Sequence, residues 1–172
     1  MNTAYLLIGG NLGDRAAYLA EAVNHISARC GPVTNKSSLY ETAAWGNTNQ
    51  PAFYNQAIRV ETMLDPETLL ERLLAIELEM GRIREEKYGP RTIDLDILMI
   101  DDTILDSPSL SIPHPQLQNR RFALLPLNEI APALHHPVLD KTIHELLLNC
   151  PDTLDVQKKI KAKAKFGFIF TH

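Results

Sequence analysis

The order of predicted elements, β-α-β-β-α-β, places this chain in the α+β class with a ferredoxin-like topology: an antiparallel sheet carrying both long helices on one face. Two observations give that order. Residues 14–29 and 65–80 repeat apolar side chains at helical spacing. Residues 4–8, 33–41, 53–62 and 94–100 run apolar or alternate over strand lengths. With 172 residues the chain can bury one stable core. We expect a single domain over 1–150, with a short hairpin arm and small helices at its end, and a C-terminal tail over 151–172.

The first strand, Ala4-Tyr-Leu-Leu-Ile8, stops at Gly9-Gly10-Asn11, a turn signal. Asp14 then caps a helix whose stripe is Ala16, Leu19, Ala20, Val23 and Ile26, ended by Gly31-Pro32. The segment Gly9–Asp14 is a weak lookalike of a phosphate-binding loop and reads better as the tight turn into that helix. Val33–Glu41 is a polar strand, 43–52 a loop, and Phe53–Thr62 an alternating strand. Asp65 caps the second helix with Pro66 at its first position, and Leu69, Leu73, Ile76 and Met80 line one face before Gly81. The charged stretch 82–92 carries Gly89-Pro90 and reads as a mobile loop. Asp94–Ile100 is the fourth strand. Asp101-Asp102 turns the chain, and Thr103–Leu105 starts the hairpin arm. Pro113-His114-Pro115 is a rigid turn, 122–130 is helical, and 141–148 forms a small helix. The opposite sheet face is left for loops or ligands. The basic run Lys158–Lys165 reads as a frayed or solvated terminus.

Composition excludes several classes. A net charge of −4 offers no general basic surface to nucleic acid. No apolar run is long enough to cross a bilayer, and the start of the chain lacks the basic residues and cleavage site of a signal peptide. Cys30 and Cys150 are too few for a disulfide framework or a metal cluster, and read as free thiols of a cytoplasmic protein.

Asp94 and Asp96 are the sharpest chemical signal. Residues two apart on a strand share a face, and their Cα atoms lie about 6.7 Å apart, so both carboxylates can reach hard cations. Ile93, Leu95 and Ile97 point the other way, into the core. Arg82, Arg84, Lys87 and Arg91 crowd the preceding loop, as a metal–triphosphate complex requires. The chain lacks a Gly-x-x-x-x-Gly-Lys-Ser/Thr loop, so side chains must hold the phosphates. His114 and Arg120 follow within one short hairpin. Thr42, Trp45, Phe53, Asn55 and Phe122 suggest a flat ligand, with Phe53 and Asn55 on one strand face. The residues alone leave open a nucleotidyltransferase, which also uses paired strand aspartates, and a ligand-binding module without catalysis.

The stretch Lys87-x-Gly-Pro-Arg-x-x-Asp-Leu-Asp-Ile-Leu98 resembles the signature of the 6-hydroxymethyl-7,8-dihydropterin pyrophosphokinase family. Ile8-Gly-Gly-Asn-Leu-Gly13, Ser38-x-Tyr-x-Thr42, Phe53-x-Asn55, Glu77-x-x-x-Gly-Arg82-x-Arg84, Pro113-His-Pro115 and Asn119-Arg-x-Phe122 resemble it too, in order, across about 4–148. The resemblance implies transfer of a diphosphoryl group from ATP to the pterin hydroxymethyl group in folate biosynthesis. It implies two Mg2+ ions on Asp94 and Asp96, and a pterin pocket of Thr42, Trp45, Phe53, Asn55 and Phe122. Arg82 and Arg91 would be catalytic. His114 and Arg120 would contact ATP phosphates, with Glu77, Arg84, Lys87, Tyr88 and the backbone at Ile97 on the nucleotide side. Its partners would be these two small molecules, and the protein is expected to act as a monomer. The chain departs from the family at Ala43-Ala44, where prolines are common, and at Lys87-Tyr88, where an arginine–tryptophan pair is frequent.

Overall fold

A computed structural model describes residues 1–43, 51–81 and 93–159. Its elements are β1 (Asn2–Gly10), α1 (Arg15–Arg29), β2 (Val33–Lys36), β3 (Leu39–Thr42), β4 (Phe53–Thr62), α2 (Pro66–Glu79) and β5 (Asp94–Ile100), followed by β6 (Leu105–Asp106), β7 (Ser111–Ile112), α3 (Arg121–Ile130), β8 (His135–His136), β9 (Lys141–Thr142), α4 (Ile143–Leu148) and β10 (Val156–Lys159). The main sheet runs β10-β3-β4-β1-β5, with β2 also on β4, and all pairs are antiparallel. Within it, β5-β1-β4-β3 is the ferredoxin-like order predicted from sequence.

The helices begin where their caps predict. The Asp14 carboxylate accepts the Ala17 amide at 3.1 Å and the Asp65 carboxylate accepts the Thr68 amide at 2.8 Å. Their apolar stripes, Leu19, Ala22 and Ile26 with Leu69, Leu73 and Ile76, pack on Ala4, Leu6, Ile8, Ile58, Val60, Leu95 and Ile97. The run Ala4–Ile8 is apolar at every position because both faces of β1 are covered. Tyr5 and Leu7 point away from α1 and α2 and pack under α3 and α4 with Ala57, Leu98, Met99, Leu124, Leu127 and Ile143. The face left for loops or ligands is therefore covered in part by the C-terminal helices.

Five further details differ from the sequence reading. The single strand expected over 33–41 is broken at Ser37-Ser38. The buried Ser37 hydroxyl accepts the Ala57 amide at 2.9 Å, replacing a ladder bond. The hairpin arm pairs Leu105–Asp106 with Ser111–Ile112, later than Thr103. The helix expected from Lys141 starts at Ile143, because Thr142 is its cap in a box with Glu145, and His135–His136 with Lys141–Thr142 make a small hairpin that periodicity did not signal. Finally, Val156–Lys159 pairs with β3, so the first residues of the basic run expected to fray extend the sheet. Among the described residues, no helix is long and apolar enough to cross a membrane, and Cys30 and Cys150 are free thiols.

Candidate active site

The site is built on the same sheet face as α3, at the Asp94 end of β5. In β5, Ile93, Leu95 and Ile97 are buried in the α1–α2 core, while Asp94 and Asp96 are half-buried on the other side. The alternation read from sequence is thus the one observed. Register extends it across the sheet: Asp96 lies opposite Leu7, Asp94 opposite Gly9, Gly9 opposite Asn55, and Asn55 opposite Tyr40. Thr42 pairs with Phe53 two residues further along. The strand ladder therefore sets the aspartate pair, Asn55, Phe53 and Thr42 on one face.

Gly9 makes this row possible. A Cβ there would collide with the Asn55 amide and sit 2.9 Å from the Tyr54 carbonyl oxygen. The Asn55 side chain thus lies over the Gly9 backbone, toward the Asp94 strand. Sequence reasoning took Gly9 as part of a turn; its place at the end of an apolar strand, two residues after Leu7, was the available signal for a close approach.

Glu77 was expected on the nucleotide side. It is buried in α2 at 2% exposure, and its carboxylate accepts the Leu95 amide at 2.7 Å. A buried carboxylate is costly unless it is hydrogen-bonded, and this bond ties α2 to the residue between the two aspartates. Ile97 has its side chain in the core, so only its backbone can meet a ligand.

On the other side of β5, the His114 amide donates to the Leu98 carbonyl at 2.9 Å, placing the imidazole near Asp94. Its Nδ1 accepts the Gln116 amide at 3.1 Å, so the neutral ring carries its proton on Nε2. Burial, then the nearby Arg120 charge, hold the imidazole down to about 4, with Asp94 opposing them. Arg120 precedes the first turn of α3 and lies over the Phe122 ring, 5.7 Å from its centre. Asp94, His114, Arg120 and Phe122 are thus neighbours. Trp45, Arg82, Arg84, Lys87, Tyr88 and Arg91 lie outside the described residues. A position the sequence reading passed over is Glu129 of α3, which accepts the Ser38 amide and hydroxyl and, at 2.7 Å, the Tyr40 hydroxyl. It pins β3 beneath α3, and burial with this bond pushes the Tyr40 phenol well above its ordinary range.

The donor set suits magnesium. Asp94 and Asp96 offer hard carboxylate oxygens from one strand face, and magnesium takes one or two carboxylates together with phosphate oxygens and water. The neutral imidazole and the guanidinium of Arg120 add donors for an anion. Asn55 adds an amide able to donate and accept at once.

Two outcomes follow from this geometry. Gly9→Ala should destabilise the protein by about 1–3 kcal/mol, through the overlap with Asn55 and the Tyr54 carbonyl, as read by urea denaturation. In the unfolded chain His114 titrates near 6.5, against about 4 in the folded protein. Between those values the unfolded state binds more protons, so stability falls as pH drops from 6.5 to 4 and levels off below, by up to about 3 kcal/mol. Denaturation midpoints measured without nucleotide or metal should show this slope, and His114→Asn should flatten it.

A family model described as 7,8-dihydro-6-hydroxymethylpterin-pyrophosphokinase matches residues 5–132. The chain is 45% identical over 135 residues to the 2-amino-4-hydroxy-6-hydroxymethyldihydropteridine pyrophosphokinase of Methylorubrum extorquens, covering 78% of this chain and 85% of the relative. It is 39% identical over 145 residues to the enzyme of the same name in Aquifex aeolicus, covering 84% and 90%. A solved Plasmodium falciparum HPPK-DHPS chain superposes with a TM-score of 0.69 at 22% identity, over 86% of this chain and 42% of that one; it supports the fold, and this chain spans less than half of that longer protein. The ordered motifs, the sheet order and these matches agree: the chain belongs to the 7,8-dihydro-6-hydroxymethylpterin-pyrophosphokinase family.

Proposed function

We propose that this chain transfers the intact diphosphoryl group of ATP to the hydroxymethyl group of 6-hydroxymethyl-7,8-dihydropterin in folate biosynthesis, releasing AMP. The observation that carries the reading is the row Asp94–Gly9–Asn55. It sets a cation-binding carboxylate and a heterocycle-binding amide on one face, two strand spacings or about 10 Å apart, with a glycine between them.

Asp94 and Asp96 would hold magnesium, two ions in this reading, with ATP phosphates completing the ligand shell. When bound, magnesium offsets phosphate charge and acidifies the attacking hydroxyl. Asn55 reads the polar edge of the pterin, Phe53 and Phe122 pack on its faces, and Thr42 closes the strand end, with Trp45 on the segment that follows. The His114 Nε2 proton and the Arg120 guanidinium take phosphate oxygens. Arg82 and Arg91 stabilise charge during transfer, and Arg84, Lys87, Tyr88 and the Ile97 backbone stand on the nucleotide side. Glu77 acts through the strand, holding the Leu95 amide and so the aspartates on either side of it. The pterin hydroxyl oxygen bonds to the β-phosphorus, the bond from that phosphorus to the α–β bridging oxygen breaks, AMP leaves with that oxygen, and the hydroxyl proton goes to solvent. Positioning and charge carry most of the rate in such reactions. We assign the protein to the cytoplasm on its free thiols, acting as a monomer in this reading.

Incubation with Mg2+, ATP and hydroxymethyl dihydropterin should give AMP and the pterin diphosphate. Pyrophosphate as the product would point instead to a nucleotidyltransferase, and no turnover to a binding module. Asp96→Ala should lower kcat on the order of a thousandfold, with an unchanged unfolding midpoint; retained turnover would remove the metal assignment.

A further inference from the structure

The Gly9–Arg15 segment does more than turn the chain. Asn11 is 1% exposed, and its amide donates to the Pro51 carbonyl at 3.0 Å. Arg15, the first residue of α1, donates to the next carbonyl, Ala52, at 2.8 Å and to the Glu41 carboxylate at 2.9 Å. Its guanidinium also lies 3.9 Å from the centre of the Tyr54 ring. Glu41 and Tyr54 are cross-strand partners, and the adjoining pair is Thr42 and Phe53. Because neighbours on a strand point to opposite faces, Arg15 grips the Glu41–Tyr54 pair from the helix face while Thr42 and Phe53 present the other. Partial burial raises the Glu41 carboxyl, but the bonds from Lys159 and Arg15 outweigh it and hold the group below its ordinary range.

We propose that Arg15 is a positioning residue for the pterin half of the site: from behind the sheet it fixes the end of the β3–β4 ladder, and with it the spacing of Thr42 and Phe53. This rests on the pterin reading given above. A guanidinium suits the task because its planar fork can meet a carboxylate and a carbonyl at once while stacking on a ring. Among the described residues, the ATP half stands on β5 and the His114–Arg120 turn, and the contacts of Arg15 go to Glu41, Ala52 and Tyr54 instead. Its removal should therefore divide the two substrates.

The test is steady-state kinetics of Arg15→Ala, Arg15→Lys and Glu41→Gln beside the parent protein, with pterin affinity followed separately by fluorescence titration. Arg15→Ala should raise the KM for hydroxymethyl dihydropterin about tenfold or more and leave the KM for ATP within about twofold. Arg15→Lys should recover part of that loss, and the Arg15→Ala/Glu41→Gln double variant should lose less than the product of the two single losses. Equal rises in both KM values would overturn the proposal, as would an unchanged pterin KM in a folded Arg15→Ala. Should Arg15→Ala not fold, Arg15→Lys carries the same comparison, and a KM pattern identical to the parent's would overturn it. A parent protein that neither binds nor turns over the pterin removes the proposed function itself; a parent that binds it, beside an Arg15→Ala that binds equally well, removes only the role of Arg15.

Discussion

A strand with one face in an apolar core and carboxylates on the other is the constraint on which the rest of this site depends. Burial of Ile93, Leu95 and Ile97 against α1 and α2 fixes the register of β5, since a slip of one residue would drive Asp94 and Asp96 into that core. The same register puts Gly9 opposite Asp94 and Asn55 opposite Gly9. Hydrophobic packing on the far side of the sheet, with the Glu77–Leu95 bond beside it, thus positions polar groups on the near side.

Much of this was legible in the sequence. The caps at Asp14 and Asp65, the stripes of both long helices and the alternation of β5 are local patterns, and local patterns survive in the fold. What was not legible depends on partners distant in sequence. Nothing near Ser37 announces that its hydroxyl will replace a ladder bond to Ala57, and the strand 33–41 therefore reads as continuous. Glu77 shows the same limit. The family resemblance places it on the nucleotide side, and nothing near it in sequence announces that its carboxylate takes the Leu95 amide, 18 residues away. Val156–Lys159 reads as a charged tail because its strand pairing is made entirely to β3.

The end of the β3–β4 ladder is held from both sides of the sheet. On the helix face, Arg15 bridges Glu41 and Ala52 over the Tyr54 ring. On the ligand face, Glu129 takes Ser38 and the Tyr40 hydroxyl, while the Thr42 hydroxyl donates to the Asp155 carbonyl at 3.4 Å. Individual exposed ion pairs contribute little. Here several half-buried contacts converge on residues next to Thr42 and Phe53, so their value lies in restricting the geometry of those two side chains more than in global stability.

The two edges of the sheet are treated differently, and the difference runs parallel to the two halves of the proposed reaction. An exposed edge strand carries unpaired backbone groups that invite another strand. At the β3 edge that demand is met by β10. At the β5 edge it is met in part by groups of the site: the Leu95 amide goes to the Glu77 carboxylate, and the Leu98 carbonyl accepts the His114 amide. An added strand would satisfy the same backbone groups but would occupy the ground beside Asp94 and Asp96. Side-chain and turn partners meet these backbone groups instead, and they fix His114 beside Asp94. The bonds that protect this edge against pairing are therefore also the bonds that hold the proposed phosphate end of the site in register with the aspartates.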